Sequence, residues 1–120
     1  MSYIASNPES YADKKVANGQ CVRFVQEAAG APNTSHWKQG IQVKGGMDLK
    51  KGTAIATFVD GKYANKPSGN HAAIYLSQDS NGLWVYDQWE KQGKVKKRII
   101  RFHTGPWDVV NDGNAYYVIE

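Results

Sequence analysis

Asn18-Gly19-Gln20-Cys21-Val22-Arg23-Phe24-Val25-Gln26-Glu27-Ala28-Ala29-Gly30 is the stretch around which the 120-residue chain is organised. Val22, Val25 and Ala29 recur at three- and four-residue spacing, with Phe24 and Ala28 beside them, so one face of a helix is apolar and should pack into a core. Asn18 or Gly19 suits the start as a cap, and Gly30 followed by Pro32 stops the helix. Cys21, the one cysteine of the chain, falls in the first turn, where unpaired N–H groups and the positive end of the helix dipole favour negative charge. A basic partner in such a setting can lower a thiol pKa from about 8.5 to roughly 3.5–7.5, which makes a nucleophile available at neutral pH. The plain alternative is a small apolar side chain filling space. A base and an orienting group within reach decide between the two.

Strand signals follow the helix. Gly52-Thr53-Ala54-Ile55-Ala56-Thr57-Phe58-Val59 is bounded by Gly52 and Asp60-Gly61 and reads as a first strand, its small residues packing close to the Cys21 helix. Residues 71–77 and 83–89, either side of the turn Asp79-Ser80-Asn81-Gly82, predict an antiparallel hairpin. Val95 to Phe102 gives a fourth strand and Ala115 to Ile119 a fifth. Upstream, Asn7-Pro8-Glu9 predicts the capped start of a short helix ending near Lys15 or Val16. Residues 30–52, with five glycines and Pro32, read as loop with one helical turn at most. Helices first and strands afterwards give an α+β class: N-terminal helices on a roughly five-stranded antiparallel sheet. One catalytic domain, 1–120, is expected, since the chain is long enough for one core and too short for two.

Composition narrows the function classes. A mean hydropathy of -0.60 and the absence of about 18 consecutive apolar residues predict no membrane insertion. The segment beginning Met1-Ser2-Tyr3-Ile4 lacks a basic region and an apolar run, so no signal peptide is expected. A lone cysteine permits no internal disulfide. Lys91, Lys94, Lys96, Lys97, Arg98 and Arg101 account for much of the net charge of +4. On an edge strand they would discourage aggregation, or they would attract an anionic partner. No base-reading or phosphate-cradling motif accompanies them, so nucleic acid is not an expected partner. No metal-ligand spacing is present, and no cofactor is expected.

His71 opens one strand of the hairpin and Asp87 ends the other, so the two come alongside each other. Asp87 could accept the Nδ1–H of His71, leaving Nε2 for Cys21, in the nucleophile, base and orienter arrangement of the hydrolytic triad. By alternation Asp87 shares a face with Val85 and Trp89, which places Trp89 at the edge of the site; Gln88 is the orienter if the faces are reversed. Trp37 could form a groove wall, or plug the core instead. His36 is a less well-placed base, since nothing puts it on a strand.

Four blocks resemble those of the NlpC and CHAP amidases, papain-like bacterial cell-wall peptidases. They are Gly19-Gln20-Cys21-Val22, Leu49-Lys50-Lys51-Gly52-Thr53-Ala54-Ile55, Gly69-Asn70-His71-Ala72-Ala73-Ile74-Tyr75 and Val85-Tyr86-Asp87-Gln88-Trp89. Together they span about residues 18–102, and the histidine block is the most specific. The small size and leaderless start further resemble amidase effectors of type VI secretion. The resemblance implies that Cys21 attacks an amide carbonyl of a peptidoglycan peptide, that His71 moves the proton, and that Asp87 orients His71. It implies an oxyanion site at the Cys21 N–H with Gln20 nearby. It further implies synthesis in the bacterial cytoplasm, delivery to a rival's periplasm, and neutralisation by a cognate immunity protein. Such effectors cut either the diaminopimelate to D-alanine crosslink, favoured here for a short chain with an open groove, or the γ-D-glutamyl to diaminopimelate bond. A dead site that docks wall peptide or protein through Trp37, Trp84 and Trp89, and acyl transfer in place of hydrolysis, are the competing readings.

Overall fold

The computed structural model describes residues 2–120; Met1, the first residue of the segment in which no signal peptide is expected, lies outside the described residues. Among the described residues there is one α-helix, α1 (Cys21–Ala29), and six strands: β1 (Gln39–Gln42), β2 (Ala54–Thr57), β3 (Ala72–Gln78), β4 (Gly82–Asp87), β5 (Lys96–Arg101) and β6 (Tyr116–Ile119). The strands form one sheet in the order β1-β6-β2-β3-β4-β5, every pairing antiparallel. The class is α+β. No helix among the described residues is long and apolar enough to cross a membrane.

The sheet has six strands where five were expected, because β1 lies in the segment read as loop. Its side chains are mostly exposed, Ile41 included, so no alternation marks it. Backbone pairing with β6 makes it a strand: Lys38 and Glu120 exchange N–H···O bonds of 2.7 and 2.8 Å just beyond its end. The expected first helix is a single 3-10 turn, Pro8–Tyr11, and the Asn7 side chain makes no capping bond. Asp13 then turns into the left-handed region (φ 63). Its N–H donates to Val95 O (2.8 Å), and Val95 N–H donates to Lys14 O (2.9 Å), so a partner distant in sequence takes the backbone groups a longer helix would have used.

Hydrophobic packing covers both faces of the sheet. Phe24 and Val25 of α1 bury themselves with Trp37, Ala54, Ala56, Ala72 and Ile74 on one face; Ile55, Ala73, Tyr75, Leu83, Val85, Ile100 and Tyr116 pack on the other. The alternation Ala72, Ile74 against Ala73, Tyr75 splits β3 between the two cores. Among the strands α1 lies mainly against β3, which carries the histidine block. Alanines at 54, 56 and 72 leave room on that face for the helix. At the hairpin, the Asp79 carboxylate accepts from the N–H groups of Asn81 (2.8 Å) and Gly82 (3.3 Å), fixing the predicted turn. Gly52 must be glycine: its φ is +98, and a Cβ would lie 2.2 Å from Ala5 O.

Candidate active site

Cys21 is the first residue of α1, and Gln20, neither Asn18 nor Gly19, occupies the N-cap without a side-chain cap. Asn18 works one step earlier, its Oδ1 accepting from Gln20 N–H at 3.0 Å. Gln88 fastens this approach to the end of β4. Its Oε1 accepts from Val16 N–H (2.8 Å), and its Nε2 donates to Val16 O (2.9 Å) and Gln20 O (3.2 Å). Gln88 is fully buried and thus anchors the chain that presents Cys21; it does not face His71 as an orienter.

His71 precedes β3, held by Thr57: its N–H donates to Thr57 Oγ1 (3.1 Å), and Thr57 N–H donates to His71 O (3.0 Å). Its ring nitrogen Nε2 meets Asp87 Oδ2 at 2.8 Å. The partners are those expected, but the ring is used the other way round. In the β3–β4 register Ile74 faces Tyr86, so His71 lies beyond the position opposite Asp87 and spans the diagonal with its outer nitrogen. Nδ1, nearer the backbone, is left for the thiol.

Burial alone would push the Cys21 thiol up; the His71 hydrogen bond and charge, the Ala72 N–H and the Tyr63 hydroxyl outweigh it, and the thiol lies below its ordinary range. Burial likewise works against His71, but hydrogen bonds to Asp87 and Cys21 push its pKa up to about 9. Both directions favour a thiolate beside an imidazolium at neutral pH.

Two residues were missed in the sequence. Arg98 sits in what read only as a basic cluster, yet its Nε donates to the same Asp87 Oδ2 at 2.7 Å, and its guanidinium stacks 4.9 Å from the Trp89 ring centre. Alternation could have found it: Asp87 pairs with Lys96 and Val85 with Arg98 across β4 and β5, so Arg98 shares the face of Val85 and Asp87. Tyr63 lies in the connector after β2 with no periodic signal. Its hydroxyl is 3.9 Å from Cys21 Sγ, and burial, then the Cys21 charge, raise its pKa far enough to keep it a neutral donor.

A cavity of about 800 Å³ opens over Cys21 and His71, lined also by Gln20, Tyr63, Trp89 and Glu90. Gln20 Nε2 donates to Glu90 Oε2 (3.3 Å) at its rim. Trp89 stands edge-on to His71, ring centres 6.0 Å apart. Trp37 is not on this wall: it is 4% exposed, its indole N–H donates to Pro32 O, and it backs Tyr63 with ring centres 4.8 Å apart. His36 ends a 3-10 turn, Thr34–His36, and does not line the cavity. Among the described residues no group of three or more His, Cys, Asp or Glu is placed to hold a metal ion.

The family model described as Domesticated amidase effector 2 matches residues 1–119. The type VI secretion amidase effector 2 protein of Salmonella typhi is 40% identical over 133 aligned positions, covering 100% of both chains. Domesticated amidase effector 2 of Ixodes scapularis is 42% identical over 113 positions, 90% of this chain and 72% of that one. The solved structure of a type 6 secretion amidase effector 2 superposes with a TM-score of 0.89 at 40% identity, covering 98% of this chain and 94% of that one. The α+β architecture is papain-like, one helix on an antiparallel sheet. From its helix-borne cysteine to the last strand of its sheet, this chain belongs to the Domesticated amidase effector 2 family.

Proposed function

We propose that residues 1–120 act as one catalytic domain, a peptidoglycan amidase that hydrolyses an amide bond of wall peptides through Cys21, His71 and Asp87. The observation that carries this reading is the chain of contacts from Asp87 through His71 to a thiol at a helix N-terminus, beside an open cavity, in a family whose members are named amidase effectors.

Cys21 thiolate attacks the amide carbon, and the carbonyl π electrons move onto oxygen. The N–H of Cys21 is one of those the first helical turn leaves without an intrahelical partner, and it is placed to donate to that oxyanion. Collapse of the intermediate expels the amine, which takes the proton held by His71, and leaves a thioester. His71, now neutral, draws a proton from water as the water attacks the thioester; the acid departs, and the thiolate and imidazolium are restored. Asp87 fixes the ring and balances its positive charge. No cofactor enters these steps.

The bond we favour is the diaminopimelate to D-alanine crosslink, in a substrate reached by type VI delivery into a target periplasm, with a cognate immunity protein restraining the enzyme. Two defined substrates test the bond: a crosslinked dimer of tetrapeptide stems and an uncrosslinked monomer. Conversion of the dimer to two tetrapeptide monomers supports the crosslink. Release of shorter stems from the monomer would move the cut to the γ-D-glutamyl bond. Loss of activity on adding the candidate immunity protein, with Cys21 shielded from alkylation, tests that partner.

A further inference from the structure

A second cavity, of about 330 Å³, adjoins the first and shares Asn70, His71 and Trp89 with it. It contains Arg98 but not Cys21, so it lies past the histidine. Arg98 is fixed on two sides, by Asp87 through Nε and by the Trp89 ring. Its two terminal amino groups have no hydrogen-bond partner among the described residues, and its side chain keeps 27% exposure. A guanidinium held still, with its outer N–H groups open to a cavity, matches a carboxylate in charge and geometry.

Which half of the substrate enters follows from the proton. The leaving amine must collect its proton from His71, so the leaving half lies against His71, and the cavity beyond His71 receives what that half carries. We propose that Arg98, with Trp89 and Asn70 as walls, binds a free carboxylate on the residue that supplies the leaving amine.

This rests on the amidase reading above and deepens it. In the crosslink, the diaminopimelate carbon that bears the leaving nitrogen also bears a free carboxylate. In the γ-D-glutamyl bond, the carbon that bears the leaving nitrogen has its carboxyl group already joined to D-alanine in a tetrapeptide stem. Arg98 therefore selects the crosslink by the group one carbon from the bond that breaks. A carboxamide in its place offers N–H groups to a donor and removes the charge.

The test is a pair of crosslinked dimers that differ only at that carboxyl, free in one and amidated in the other. Wild type should favour the free acid on the order of 10- to 100-fold in kcat/KM, chiefly through KM. Arg98→Gln also loosens Asp87, so its rates fall on both substrates; the decisive quantity is their ratio, which should approach one, with Arg98→Lys keeping part of the preference. Equal cleavage of both dimers by wild type, or an unchanged ratio in Arg98→Gln, would overturn the proposal and leave the amidase reading standing. If neither dimer is cut, the crosslink reading fails and binding decides the subsite. Cys21→Ala protein is titrated with meso-diaminopimelate and with its diamide while the Arg98 Nε–H and Trp89 indole N–H resonances are followed by NMR. Saturable shifts with the acid alone support the subsite; no shift, or equal shifts with both, removes it.

Discussion

Asp87 directs both of its polar contacts through one oxygen: Oδ2 receives His71 and Arg98, while Oδ1 is buried with no partner among the described residues. Arg98 thereby holds the same oxygen that holds the ring, and the ring's other nitrogen, Nδ1, is left for Cys21. The pH dependence follows. The active pair needs a thiolate and an imidazolium, so it forms as pH rises through the lowered Cys21 pKa and is lost as pH rises further through about 9, where His71 gives up its proton. Cys21 alkylation by iodoacetamide should therefore be well advanced at pH 7, where an ordinary thiol is mostly protonated. The amidase rate should be bell-shaped, its limbs belonging to the coupled pair. Asp87→Asn removes the largest support for the protonated ring and should draw the high-pH limb downward. A profile unchanged by Asp87→Asn would contradict this.

At the scale of elements, the junction between the end of β4 and the segment entering α1 depends on Gln88. Replacing it with alanine removes three hydrogen bonds and leaves the Val16 N–H unpaired in a buried setting, while the Val16 C=O keeps only the Gly19 N–H at 3.0 Å. The expected loss is about 2–4 kcal/mol in urea unfolding, with a fall in kcat from the loosened start of α1. A change under about 0.5 kcal/mol would show that water takes over these groups. The same junction shows what could be read from the sequence. Periodicity gave α1, and turn chemistry at Asp79–Gly82 gave the hairpin, so the Cys21, His71 and Asp87 neighbourhood was legible. Alternation puts Gln88 on the face opposite Asp87, but its anchoring role is not legible because its partners, Val16 and Gln20, are 72 and 68 residues distant. β1 and the lost first helix were illegible for a related reason: β6 and Val95, far along the chain, decide where their backbone groups pair. Tyr63 had no local signal, since only the closing of the fold brings a residue 42 positions away beside Cys21.

At the scale of the molecule, α1 and the sheet meet so that a helix terminus faces strand ends, and the two cavities run across that meeting line. The basic cluster proves to be divided. Arg98 turns inward to the site, while Lys96, Lys97 and Arg101 remain on β5, an edge strand of the sheet. Those three charges keep other strands from docking there. Replacing Lys96, Lys97 and Arg101 together by threonine should leave the amidase rate within about twofold and raise self-association at high concentration, read by sedimentation velocity. An unchanged sedimentation coefficient at high concentration would remove that role from the edge.

The central claim is that Cys21 performs amide hydrolysis on wall peptides. It is tested most directly by mass spectrometry of purified peptidoglycan after incubation with wild type and with Cys21→Ala, both confirmed folded by circular dichroism. The prediction is new stem peptides, each carrying the mass of one added water per bond cut, from wild type alone, with the variant reduced by roughly 10³-fold or more. Comparable products from Cys21→Ala, or joined fragments without added water, would contradict it.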